Sequence, residues 1–332
     1  MNIQDKAMLV SLNISQWTAR KLDKTASDTT ADLHHADRSE LSTYKSAIQK
    51  KHFDKIQKVV GKARTMHYKF TSPYAHSKGQ AILATKMLPD YMQEGAALSR
   101  EFSDAVAGFM SIYRDVQEEA RTALGELYDD LDYPSEAQLA RKYNLSFDFA
   151  PLPQGSHLQI AIGADELAEM QKDIEDKVKD SMQVALNDLW ERVYRVTSAL
   201  KERMTPEAGK DKTFRDTLIG NIAELADILP KMNISGDSDL DSMAAALKSD
   251  LASYDPEALR TDRGLRKEAA KKADAILARV SHKLNSAAQS APAPAPVAAP
   301  AAPVAPVVVE AAPVEEPDDA ELTAKLKAMG IL

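Results

Sequence analysis

DELAEMQKDIEDKVKDSMQVALNDLWERVYRVTSALKERM, residues 165–204, carries Leu167, Met170, Ile174, Val178, Met182, Leu186, Leu189, Val193, Val196 and Leu200 at steps of three and four. An α-helix turns once in 3.6 residues, so this spacing draws one apolar stripe along a single helix. At 1.5 Å per residue, a helix of about 40 residues makes a rod of roughly 60 Å. A second stripe lies upstream: Leu98, Phe102, Val106, Phe109, Tyr113, Val116, Ala120, Leu124 and Leu127, behind Pro89, a residue suited to a first helical turn. Rods of this length exceed the globular norm, and the two stripes predict an antiparallel coiled-coil-like pair.

The texture changes between the rods. Tyr133-Pro134-Ser135 ends the first, and Ser135 can cap a short helix through Tyr143. Leu145, Phe147 and Phe149 then alternate with polar residues. Beyond Pro151 to Gly155, so do Leu158, Ile160 and Ile162. This pattern predicts strands near 144–149 and 157–162 around a Pro/Gly turn. A lone hairpin is marginal in water. Met8, Val10, Leu12 and Ile14 have the same period and predict a third strand near 7–14, completing a small antiparallel sheet.

From Ser15 a helix is expected through Trp17 to about Lys24, then a polar loop to Asp37. A helix follows over Ser39 to Arg64, with Leu41, Tyr44, Ile48, Ile56, Val59 and Ala63 on one face and His52 in the vacant slot. Thr65 to Gln80 reads as an ordered connection. Three helices follow the second rod: Thr213 to Leu229, Asp239 to Leu251, and Asp255-Pro256 to about Leu284. The fold class is therefore mainly α with a minor β element, in a domain of residues 1–285. Residues 286–317 are nearly all Ala, Pro and Val and predict a disordered linker. Residues 318–332 predict a short amphipathic helix with an acidic start.

Cysteine is absent, which removes disulfides, thiolate metal sites and cysteine nucleophiles. The N-terminus has no signal-peptide pattern and no window reaches the apolar length of a membrane span, so the cytoplasm of a bacterial host cell is the expected location. The net charge of −8 is uneven: from Arg38 to Lys78, ten Lys/Arg face only Glu40 and Asp54, leaving −16 for the rest.

No catalytic, cofactor or metal site is expected. Gly61-Lys62-Ala63-Arg64-Thr65 and Gly209-Lys210-Asp211-Lys212-Thr213 lack the upstream glycine and Lys-Ser/Thr of a phosphate loop. The histidines form no H-E-x-x-H; His52, His67 and His76 could converge, but nothing in their spacing demands it, and solvated or packing histidines are the expected reading. The acid runs Glu118-Glu119 and Asp129-Asp130-Asp132 read as solvated surface. The basic stretch is the less ordinary feature. Lys45, Lys51, Lys55, Lys58, Lys62, Arg64 and Lys69, with Phe53, Tyr68, Phe70 and Tyr74, carry the charges and rings that nucleic acid requires. The same lysines equally suit the polar face of a helix set against acidic neighbours. In the tail, Leu322, Leu326, Met329, Ile331 and Leu332 have the spacing of a helix entering a partner's groove, at the end of a tether that raises effective concentration.

Three segments taken together resemble a known family. They are Leu12-Asn13-Ile14-Ser15-Gln16-Trp17-Thr18-Ala19-Arg20-Lys21, Met87-Leu88-Pro89-Asp90-Tyr91-Met92, and Asp132-Tyr133-Pro134 leading to Phe147-Asp148-Phe149-Ala150-Pro151-Leu152-Pro153. In that order they resemble a helical domain of unknown function from phages, prophages and plasmids, over roughly residues 5 to 285. The resemblance implies a companion role beside a MoxR-type AAA+ ATPase and a von Willebrand A protein similar to a cobaltochelatase subunit. It implies no catalytic residues. The expected function is a non-enzymatic scaffold or adaptor with a protein partner and no membrane, and homo-oligomers are compatible with the rods. The alternatives are nucleic-acid binding through residues 38–78 and a structural role in a virion.

Overall fold

The period-2 stretch at the N-terminus becomes β1 (Ala7–Ser15), followed by β2 (Arg20–Leu22), α1 (Lys24–His34) and β3 (Tyr44–Ser46). Then come α2 (Asp54–Phe70), β4 (Thr71–Pro73), β5 (Gln80–Ala84), α3 (Leu88–Ser111) and α4 (Tyr113–Leu124). The chain continues through α5 (Glu136–Ala140), β6 (Asn144–Pro151), α6 (Ala164–Met204) and α7 (Thr217–Met232). It closes with α8 (Ser238–Ala246), α9 (Pro256–Thr261) and α10 (Arg263–Ser290). This computed structural model describes residues 3–77, 79–160, 163–204 and 216–290. The molecule is mainly helical with a small antiparallel sheet.

The sheet has the order β4-β5-β1-β6, with every neighbouring pair antiparallel. Leu9 lies opposite Ile82 and Ala150, and Val10 opposite Ala81 and Phe149. Successive residues of a strand point to opposite faces. Leu9 and Val10 are both buried, so the centre of β1 is covered on both sides. β6 is the predicted strand near 144–149, but among the described residues it pairs only with β1. The strand expected near 157–162 is absent over the described residues: Gly155–His157 form a 3-10 turn and Leu158 to Ile160 are irregular, while 161 and 162 lie outside the described residues. This coil is fastened to α6 instead. Gln171 Nε2 donates to the Leu158 carbonyl at 3.3 Å. A Cβ on Gly155 would come within 2.5 Å of the Gln171 carbonyl oxygen, which only glycine avoids.

Four helix expectations change between Ser15 and Phe70. No helix follows Ser15; the chain turns at Ala19 (φ 52°) into β2, with Trp17 set edge-on against Phe53, Tyr113 and Tyr133. The polar stretch after Asp23 is α1, capped by the Asp23 carboxylate accepting from Ala26 N at 2.9 Å. Only Ser27 and Ala31 of α1 are buried, so it has no apolar stripe for periodicity to detect. The helix expected from Ser39 begins at Asp54, because Tyr44 to Ser46 pair with β2 instead. It then runs past Arg64 to Phe70, where Thr71 caps it by donating to the His67 carbonyl at 2.6 Å.

The rods also differ in detail. α6 is 41 residues long, close to its predicted span. The upstream rod breaks at Ile112 (φ −107°, ψ 4°) into α3 and α4. The last helix breaks at Asp262 into α9 and α10, and α10 continues through Ser286 to Ser290, where the linker was expected to begin. α7 is described from Thr217, and the expected start at Thr213 lies outside the described residues. α3 takes α2 as its main helix partner, and α6 takes α7. The ion pairs Lys62–Glu101 and Lys69–Glu94 run in opposite directions along α2 and α3, so these two form a long antiparallel pair. Residues 1–289 make one compact unit and 290–332 a second; from residue 291 the chain lies outside the described residues.

Candidate functional site: an arginine-rimmed cleft

The end of α2 leaves carbonyl groups without helical partners, as every helix C-terminus does. Arg192 of α6 answers them. Its guanidinium donates to the Lys69 carbonyl at 3.0 Å and the Thr71 carbonyl at 2.5 Å, while its Nε donates to Asp188 Oδ2 at 2.8 Å. A positive group also suits the negative end of the α2 dipole. Arg192 and Asp188 are each only 15% exposed, so this fork is largely withdrawn from water. It sets α6 against the point where α2 passes into the sheet.

Beside this clamp lies a cleft of about 890 Å³. Arg64, Tyr68 and Lys69 come from α2, Tyr74 and Ser77 from the β4–β5 turn, Asp188, Arg192 and Arg195 from α6, and Asn221 and Glu224 from α7. Leu12, Ile14, Val196, Leu225 and Ile228 supply an apolar lining. Four cations therefore face two carboxylates, and both carboxylates are engaged: Asp188 by Arg192, Glu224 by Lys69 at 2.5 Å. Arg195 stands 3.8 Å from Asp188 and is 66% exposed. Arg64 makes no ion pair among the described residues.

Behind the cleft, His67 is buried, with Nδ1 2.8 Å from the Tyr91 hydroxyl. Burial pushes its pKa below the ordinary 6.5 and pushes that of Tyr91 up. The hydroxyl thus keeps its proton and shares one hydrogen bond with a neutral imidazole. The unfolded chain takes up a proton near pH 6.5 that the folded chain refuses until lower pH. Stability should consequently fall as pH drops below about 6.5, with no contribution from His67 above that value. Urea unfolding between pH 5 and 8 should show this slope, weakened in His67→Asn and retained in His76→Asn.

The predicted basic stretch is only partly available. Lys51 pairs with Glu119 at 3.1 Å, Lys62 with Glu101 at 2.5 Å, and Lys69 with Glu224. Lys45 reaches Asp132 at 2.8 Å. Lys55, Lys58 and Arg64 stay exposed without an ion pair among the described residues. Phe53 and Phe70 belong to the core and cannot stack on a base, whereas Tyr68 is 68% exposed.

His52, His67 and His76 do not converge: His52 meets Glu119, His67 meets Tyr91, and His76 lies edge-on to Tyr74. Among the described residues, no group of three or more His, Asp or Glu is placed to hold a metal. The acid run is dispersed as well. Asp129 caps the turn at Leu131, Asp130 takes Arg121, and Asp132 takes Lys45 and Lys21. Leu322, Leu326, Met329, Ile331 and Leu332 lie outside the described residues.

Sequence reading missed Arg192 and Arg195. Both sit on the polar side of a rod, and the Asp188-to-Arg192 step of four is an ordinary helical pair. Nothing in that spacing indicates a bond to a carbonyl 121 residues away. Family models, curated proteins and solved structures were all compared with the chain, and none matches. Among the described residues no helix is long and apolar enough to cross a membrane.

Proposed function

We propose that the chain is a non-enzymatic scaffold or adaptor of a phage or mobile element that captures a protein partner through its helical surface and its C-terminal segment. The observation that carries this reading is the first third of α6. From Ala164 to Lys177 no residue is buried; burial begins at Val178. An isolated helix of this length is marginal in water, so such a stretch usually rests on something. Leu167 and Ile174 are half-covered, and Met170 is 44% exposed on the same stretch. An apolar ridge flanked by Asp165, Glu166, Glu169 and Asp173 fits a groove with a basic rim.

The C-terminal pattern adds a second contact of the same kind. The family resemblance favours a MoxR-type AAA+ ATPase with its von Willebrand A companion as partner. A pulldown compares the full chain, a chain ending at Ser290, and Met170→Glu. Both changes should weaken capture, and Met170→Glu should leave the unfolding transition in place, since Met170 is not buried. Undiminished capture by the chain ending at Ser290 would remove the tail from the proposal. Undiminished capture by both variants would refute it.

A further inference from the structure

We infer that the cleft beside Arg192 is a binding site for nucleotide units carrying a phosphate and an unstacked base, as presented by a single-stranded nucleic acid. The inference goes beyond the adaptor reading and does not depend on it.

The argument starts from charge. The two carboxylates of the cleft are held at close range by Arg192 and Lys69. Arg64 on one wall and Arg195 on the other keep most of their donors unoccupied. A guanidinium presents its N–H groups in a planar fork that matches phosphate oxygens, and charge-assisted bonds of this kind are the stronger class. Arg64 of α2 and Arg195 of α6 both line the cleft and bring such forks to an anion with several oxygens. A carboxylate offers only two.

The second observation is aromatic. Tyr68 follows Arg64 by one helical turn, so the two side chains share a flank of α2. Its ring is 68% exposed, which leaves a face open to stacking. Tyr74 reaches the cleft from the β4–β5 turn. Stacking on such rings tolerates any base and contributes about 1–3 kcal/mol per base. Leu12 and Ile14 give the cleft an apolar lining that suits a base face and not a bare inorganic ion. A duplex keeps its base faces inside the stack, so a strand with bases splayed out is the form that fits. The volume of about 890 Å³ lies in the ordinary range for small-ligand sites.

Lys55 and Lys58 of the basic stretch, also exposed without an ion pair among the described residues, sit farther back on α2 and do not line the cleft. They allow the site to be separated from a general basic surface. Fluorescence anisotropy of the full chain with a short labelled oligothymidylate at low salt should show binding that weakens as salt rises. The double variant Arg64→Glu/Arg195→Glu should weaken it by tenfold or more and flatten the salt slope by about 1.4, two phosphate contacts at roughly 0.7 each. Tyr68→Ala should weaken it by about tenfold without changing that slope. Lys55→Glu/Lys58→Glu should change it less than about twofold.

Thermal unfolding of each variant serves as the folding control, and all five side chains are exposed enough to leave it unchanged. Adenosine monophosphate as competitor separates the sources. Displacement at micromolar concentration assigns the cleft to free nucleotides and keeps its chemistry; displacement only far above that assigns it to a strand. No binding of either probe at low salt overturns the inference. So does strand binding that survives Arg64→Glu/Arg195→Glu, or that is lost equally in Lys55→Glu/Lys58→Glu.

Discussion

Tyr91→Ala should lower the unfolding free energy of the folded unit by about 4 kcal/mol, the largest single-residue loss expected in the molecule. Tyr91 has no exposed surface. Its ring stands edge-on to His67, Phe70, Phe147 and Phe149, with centroids at 6.0, 6.3, 5.5 and 6.1 Å. The side chain therefore joins α2, α3 and the outer strand β6. Gly95, one turn on, lets this closure happen: a Cβ there would lie 3.1 Å from the Phe147 ring. Truncation leaves a cavity among aromatics that cannot collapse without moving a helix or a strand. It also deprives His67 Nδ1 of its hydrogen-bond partner.

Tyr91→Phe isolates that last part and should cost only about 1 kcal/mol. Urea unfolding at pH 7.5 measures both through the midpoint, with the slope against denaturant unchanged. A loss below about 2 kcal/mol for Tyr91→Ala would mean that the ring does not tie these three elements together.

Arg192→Ala comes next, at about 3 kcal/mol. Removing the guanidinium strands the Lys69 and Thr71 carbonyls and the Asp188 carboxylate, all of it in a part-buried setting. The unmet desolvation of those acceptors dominates the loss. Arg192→Lys should recover little, because an ammonium cannot span two carbonyls and a carboxylate in one plane. Asp188→Ala/Arg192→Ala should cost less than the two single changes added, since each single change leaves the other charge unpaired. Strict additivity would show that the pair does not act as a unit.

Both residues bear on how far the fold can be read in one dimension. β1 and β6 were legible because apolar residues alternate with polar ones along most of each, Met8, Val10, Leu12 and Ile14 in one and Leu145, Phe147 and Phe149 in the other, which is the period of a strand. β5 was not legible. Its Ala81-Ile82-Leu83-Ala84 is buried at every position, and a strand covered on both faces becomes a short apolar run without alternation. With β5 unseen, the sheet was completed by a hairpin of 144–149 with 157–162, whereas β6 pairs with β1 and Leu158 is held by Gln171 of α6. α1 was missed for the opposite reason, having almost nothing buried. The basic stretch showed its charge correctly. The acids that engage Lys51, Lys62 and Lys69 lie on α3, α4 and α7, where sequence spacing gives no register.

By itself the sequence determined the helical character of the chain, the length of α6, the strands near 7–14 and 144–149, and the Ser135 cap. Each of these leaves a local mark in the chain, a repeat of 3.6 or 2 residues or a capping side chain. Tertiary structure alone decided which helices pair, where β6 finds its partner, and that Arg64 and Arg195 face one cleft. Those outcomes depend on close approach between segments far apart in the chain. An ion pair or a carbonyl contact across such a separation imposes no repeat on either segment, so no pattern records it.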